Sequence, residues 1–171
     1  MQRTKWVDRI FTFDLPPGWI PDVLERLRGT VPRLNAITIN LSDAVASFKP
    51  QNKWSIREHI GHLLDLEDLH SGRIDDFISR KEILRAADMS NAKTYQSNHN
   101  EKTCAELIEA FAQKRNHLIS CFVNLDDETQ LIKSLHPRLQ VPVRPIDIAY
   151  FTAEHDDHHL ADIREILELK C

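Results

Sequence analysis

The chain has 171 residues, enough for one domain with a substantial core and short for two. A formal net charge of -4, with acidic and basic residues interleaved, supplies no basic stripe to neutralise phosphates and so speaks against nucleic-acid binding. Only four glycines (Gly18, Gly29, Gly61, Gly72) are present, too few for a hairpin-rich sandwich or barrel, and Leu, Ile, Ala, Glu and Arg favour helices.

Residues 1–20 carry Trp6, Phe11, Phe13, Trp19 and the turn Pro16-Pro17-Gly18, which predicts an irregular arm laid across the surface by large apolar anchors. A helical stretch from about Pro21, with Val23, Leu24 and Leu27 inward, runs to Gly29. Thr30-Val31-Pro32 restarts it, and Leu34, Ile37 and Leu41 keep the period until turn residues take over around Ser42–Asn52. Ser55-Ile56-Arg57-Glu58 is a capping box, in which the Ser oxygen and the Glu carboxylate satisfy free amides at a helix start. The helix it opens reaches about Arg80, with an apolar arc of Ile56, Ile60, Leu63, Leu66, Ile74 and Phe77 and with Leu69 near the edge. Glu82–Asn100 has little periodicity and reads as a long connection, as when consecutive bundle helices run parallel.

Thr103-Cys104-Ala105-Glu106 is a second capping box, opening a helix to about Val123 with Leu107, Ala110, Phe111, Leu118 and Phe122 inward. After a break at Leu125–Glu128 a short helical piece is expected to Leu135. The stretch from His136 holds Pro137, Pro142 and Pro145 and must be loop or extended chain. Pro145 suits the first turn of a last helix reaching about Leu169. The sum is an all-α four-helix bundle with a long crossover connection and an irregular N-terminal arm. Residues 1–29 form the arm and a short helix packed on the bundle, and residues 30–171 the bundle itself. No apolar run approaches bilayer length, and Met1–Asp8 lacks the apolar segment of a signal peptide, so a cytoplasmic protein without membrane contact is expected.

Cys104, Cys121 and Cys171 are odd in number and far apart, which gives no support to a disulfide framework or a thiolate zinc site. Cys104, near a helix start, could react as a thiolate, but a reduced, half-buried cysteine is the preferred reading. Nine histidines are more informative, three of them in His155-Asp156-Asp157-His158-His159. At roughly 100° per residue, His159 falls about 40° from His155, within an arc shared with Ile148, Ile163 and Ile166. Two imidazoles one turn apart on a buried face can bind the same ion, and unpaired they would each bury a polar nitrogen at a cost. His155-Asp156-x-x-His159 also looks like the zincin H-E-x-x-H with Asp for Glu, a weaker match without a downstream third ligand. A third ligand must come from another helix, where His59, His62 and His70 are all available, and periodicity does not choose among them.

Trp54-Ser55-Ile56-Arg57-Glu58-His59-Ile60-Gly61-His62-Leu63, followed by Asp65 and Glu67, resembles the W-S-x-x-E-x-x-x-H-L segment of the DinB-like (DinB/YfiT-like) family of metal-dependent enzymes. Glu154–Ile163 is similar to that family's closing H-x-x-H-H-L-x-x-I motif, and the likeness covers about Thr30 to Leu169. The resemblance implies a four-helix bundle with a long crossover, a homodimer, and a three-histidine site for one divalent ion such as zinc or nickel. It assigns the ligands to His62, His155 and His159. His59 and His158 become neighbours that orient a ligand ring.

Three neutral nitrogen ligands leave coordination positions open, the arrangement of catalytic rather than structural zinc. Two enzymatic readings on a small-molecule substrate follow. One is a hydrolase using metal-activated water, with Glu58 or Asp65, each about one helical turn from His62, as proton acceptor. The other transfers a small thiol held as a metal-bound thiolate, as the resemblance to bacillithiol and mycothiol transferases and isomerases implies. A third reading is a bundle that binds metal or ligand without turnover. For Glu58 and Asp65 a solvated or salt-bridged helix face is the plainer reading.

Overall fold

The computed structural model describes residues 3–51 and 53–170; Cys171 and the first two residues of the arm lie outside them. The chain forms α1 (Ile20–Arg28), α2 (Thr30–Thr38), α3 (Asp43–Ala46), α4 (Ile56–Ile78), α5 (Ala92–Gln96), α6 (Cys104–Val123), α7 (Asp127–Leu131) and α8 (Pro145–Glu168). Two short strands, β1 (Ser134–Leu135) and β2 (Pro142–Val143), pair antiparallel. Helix α7 stops at Leu131, short of the expected Leu135, because Ile132 is extended and Leu135 is drawn into pairing with Pro142. Both capping boxes form: Glu58 N donates to Ser55 Oγ at 3.1 Å, and Glu106 N to Thr103 Oγ1 at 3.2 Å.

Four long arms make the bundle: α1 with α2, α4, α6 and α8. Ser55 at the start of α4 lies 2.7 Å from Asn100, just before α6, and Glu67 of α4 meets Arg115 of α6, each eleven residues into its helix. Helices α4 and α6 therefore run parallel, and residues 79–103 must travel back along the bundle to join them. Helix α1 packs against α8 and α6, and α2 against α6 and α8. The structural boundary at Gly29 is thus a joint within one bundle arm, since Gly29 keeps right-handed helical backbone.

The core has two apolar halves. Val23, Leu24, Leu27, Ile74, Phe77, Leu118, Phe122 and Ile148 form one, and Leu34, Ile56, Ile60, Leu63, Leu107, Phe111, Leu160 and Ile163 the other. Arg115 belongs to neither. Its side chain is 1% exposed and lies between Glu67, at 2.7 Å, and Asp156, while Thr30 donates to Asp156 at 2.7 Å. Burial alone would lower the Arg115 pKa, but the two carboxylates outweigh it and raise the value. No helix among the described residues is long and apolar enough to cross a membrane.

Candidate metal centre

Helices α4 and α8 pack together, and their shared seam carries His62 from one and His155 and His159 from the other. The three side chains are buried, and each offers a ring nitrogen within 4.8 Å of the others. The Nε2 atoms of His155 and His159 stand 3.1 Å apart. Two nitrogens on one tetrahedral zinc are separated by about 3.3 Å, from Zn–N distances of about 2.0–2.1 Å. The separation fits such an ion.

The outer nitrogens of His62 and His159 explain how those two rings are held, whereas His155 Nδ1 is buried without a partner among the described residues. His62 Nδ1 is 3.0 Å from Thr94 Oγ1, and Thr94 Oγ1 donates to Asp65 Oδ2 at 3.0 Å. With its own proton committed to Asp65, Thr94 accepts from His62 Nδ1–H, which leaves the Nε2 lone pair of His62 free. His99 Nε2 is 2.8 Å from the same carboxylate oxygen. It gets there by lying on the α4 backbone at Gly61, where an added Cβ would overlap the His99 ring. His159 Nδ1 is 2.8 Å from His59 Nδ1, so His59 restrains the His159 ring on its far side. Tryptophans flank the cluster: Trp54 lies 4.6 Å from His62, and Trp6 lies 4.9 Å from His155, centroid to centroid.

Burial keeps these imidazoles neutral. It pushes His155 and His159 well below the ordinary histidine value, and takes His62 down to about 4 against a partial upward pull from Asp65. His59 falls to about 3, through burial first and then the crowding of His62 and His158 and the charges of Arg3 and Lys53. Neutral imidazole with an available lone pair is the form that binds a metal. A second group, His59, His159 and Asp162, is also close enough to share an ion, but Asp162 already pairs with Arg3.

The other sequence candidates are placed otherwise. Glu58 accepts from Ser55 N at 2.9 Å and pairs with Lys49 at 2.6 Å, so its carboxylate serves the helix cap. Asp65 reaches His62 only through Thr94. Neither lines the cavity onto which the histidines open. Asp156 faces Arg115, so the zincin-like arrangement is absent. Cys104 is half-buried, and burial raises its thiol pKa, contrary to an activated thiolate. The cavity has a volume of about 460 Å³, with Trp6, Leu66, Leu69, Met89 and Phe151 among its apolar walls. The arm thus contributes Trp6 to the site itself.

The fold matches solved structures. YfiT from Bacillus subtilis, described as a probable metal-dependent hydrolase with an unusual four-helix bundle topology, superposes with a TM-score of 0.82 at 13% identity, covering 95% of this chain and 93% of that one. A mycothiol-dependent maleylpyruvate isomerase gives a TM-score of 0.68 at 11% identity over 90% of this chain, which spans only 63% of that protein. At these identities the likeness is one of fold. Comparison with curated proteins finds no sequence match. The model of the DinB superfamily matches residues 15–163, so the likeness begins within the arm, ahead of Thr30. That span takes in α1, α2, α4, α6, most of α8 and all three clustered histidines, and the chain belongs to the DinB superfamily.

Proposed function

We propose that His62, His155 and His159 hold one divalent metal ion, zinc or nickel, and that the chain is a metal-dependent enzyme of the hydrolase type acting on a small molecule. The observation that carries this is three buried, neutral imidazoles from two helices converging at the wall of a cavity large enough for a substrate. Bound there with positions open, such an ion supplies Lewis-acid polarisation of a substrate oxygen or sulfur atom. The chain's own residues prepare that state. Thr94 and Asp65 fix the tautomer of His62, His59 restrains His159, and Trp6 and Trp54 shield the rings from water. Asp65 is then a positioning residue rather than a proton acceptor, and Glu58 belongs to the cap.

A second reading, transfer of a small thiol, is supported by the fold-level likeness to a mycothiol-dependent isomerase and by the absence, among the described residues, of a free carboxylate in the cavity. Asp88, the one acidic residue lining it, accepts from Ser90 N and Ala92 N, each at 2.9 Å, in its own loop. Zinc- and nickel-loaded protein assayed with ester and amide panels, and with electrophiles plus several small thiols, tests both readings. Metal-dependent turnover in the first panel supports the hydrolase, and in the second the transferase. Inactivity in both with a filled site would show a binding module.

A further inference from the structure

The cavity has a second polar end that the metal proposal does not use. Arg73 lines it from α4, and His136 and Arg138 line it from the β1–β2 turn. Arg73 is 2% exposed, and its Nε donates to the Arg85 carbonyl at 3.2 Å. His136 is also 2% exposed; its Nδ1 accepts from the backbone amides of Arg138 and Leu139, at 3.3 and 3.2 Å. The proton of this neutral ring is therefore on Nε2, and that buried N–H has no partner among the described residues. Arg138 Nη2 is likewise buried without a partner. Its guanidinium lies over Phe151 at 5.6 Å and Trp6 at 5.9 Å, which fixes where it points.

Neither Arg73 nor Arg138 has a carboxylate within ion-pair distance among the described residues, in contrast to Arg115. Burial lowers the pKa of both; nearby Asp76 pulls Arg73 back upward without forming an ion pair, but Arg138 and Arg85 add repulsion and Arg73 falls to about 10. One buried cation, one half-buried cation and an orphan N–H donor gathered at one cavity destabilise the free protein. An oxyanion with two or three acceptor oxygens would satisfy all three.

We propose that Arg73, Arg138 and His136 form an oxyanion subsite, and that the ligand of this cavity is a small molecule with an apolar body and a carboxylate or phosphate head. His62, Leu66, Leu69, His70 and Arg73 line the cavity along one face of α4. The eleven residues from His62 to Arg73 rise about 16 Å along the helix. The ligand is thus elongated, its anionic head at the arginines and its reacting part at the histidines. The substrate assignment rests on the proposed metal enzyme, whereas the oxyanion subsite is read from residues outside the histidine cluster.

The test is calorimetric titration of the full chain, zinc-loaded and chelator-treated, with hexanoate, hexyl phosphate and neutral hexanamide. The expected result in both forms is at least one anion binding about tenfold or more tighter than the amide, with that preference lost in Arg138→Gln. The tighter of the two anions names the head group. Arg138 is on a half-exposed turn; Arg73→Gln, checked for cooperative unfolding, is the second variant and is expected to lose the same preference. Equal binding of amide and anions overturns the proposal. So does an anion preference that needs zinc and survives both substitutions, since the anion then sits on the metal and the metal-enzyme reading stands. A preference that persists in protein unable to bind zinc keeps the subsite and removes the metal reading.

Discussion

Arg115 and the pair Arg73–Arg138, the first two buried and Arg138 half-buried, are in opposite electrostatic situations. Arg115 has two carboxylates, Glu67 and Asp156, and spends its remaining capacity on the Leu27 carbonyl at 3.3 Å. Nothing about it invites a ligand. Arg73 and Arg138 face a cavity whose one acidic lining residue, Asp88, is held by its own loop, and neither arginine makes an ion pair among the described residues. A buried charge neutralised from within holds helices in register, whereas one left unneutralised beside open volume marks a place where a partner completes the structure. The histidine cluster is of the second kind, with lone pairs turned toward one another instead of a charge.

Substitutions should separate the two kinds. The largest effect is expected for Arg115→Met, which strands two buried carboxylates and should cost about 3–5 kcal/mol of stability in urea unfolding. Arg138→Gln should change stability by less than about 0.5–1 kcal/mol in the same measurement, because only its contacts with the Phe151 and Trp6 rings are lost and no ion pair. A large loss there would erase the distinction. His59→Ala and Asp65→Asn should lower zinc affinity roughly 10–100-fold in a competitive chelator titration while the fold is kept, as removal of groups that orient metal ligands does. Unchanged affinity in both would break the account of how the rings are held.

A further difference concerns pH. Burial, then Arg73 and Arg138, lowers the His136 pKa to about 4. Its unfolded value is near the ordinary 6.5, so as pH falls below that value the unfolded chain takes up a proton that the folded chain refuses. The contribution is therefore present above about pH 6.5 and is lost as pH falls toward about 4. His62, His155, His159 and His59 are lowered over the same range, so His136→Phe should make that part of the stability profile less steep without flattening it; an identical profile in the variant would show that His136 does not contribute.

The long helices are legible in the sequence because each carries its own start signal and periodicity: Ser55 with Glu58, Thr103 with Glu106, and Pro145. The position of His155 and His159 on the apolar face of α8 is legible for the same reason. The choice among His59, His62 and His70 is not, since all three are buried on α4 and differ only in what lies opposite. Thr94 and His99 sit in the aperiodic connection, and their meeting with Asp65 depends on the chain passing over Gly61. Arg115 looks like one more surface charge until α4 and α8 present Glu67 and Asp156 to it. Arg73 and Arg138 come together only after Leu84 N bonds the Leu135 carbonyl at 3.1 Å and brings the crossover beside the β1–β2 turn. Sequence patterns report what a residue's own helix does with it; convergence between separate segments is a tertiary fact.

The central claim is that imidazoles from α4 and α8 share one ion. Anomalous diffraction from crystals of the untagged chain grown with zinc tests it most directly. One peak within coordination distance of His62, His155 and His159, and lost in His155→Ala, is the predicted result. A peak elsewhere, such as beside His59 and Asp162, or none at all in a folded, zinc-saturated crystal, would contradict it.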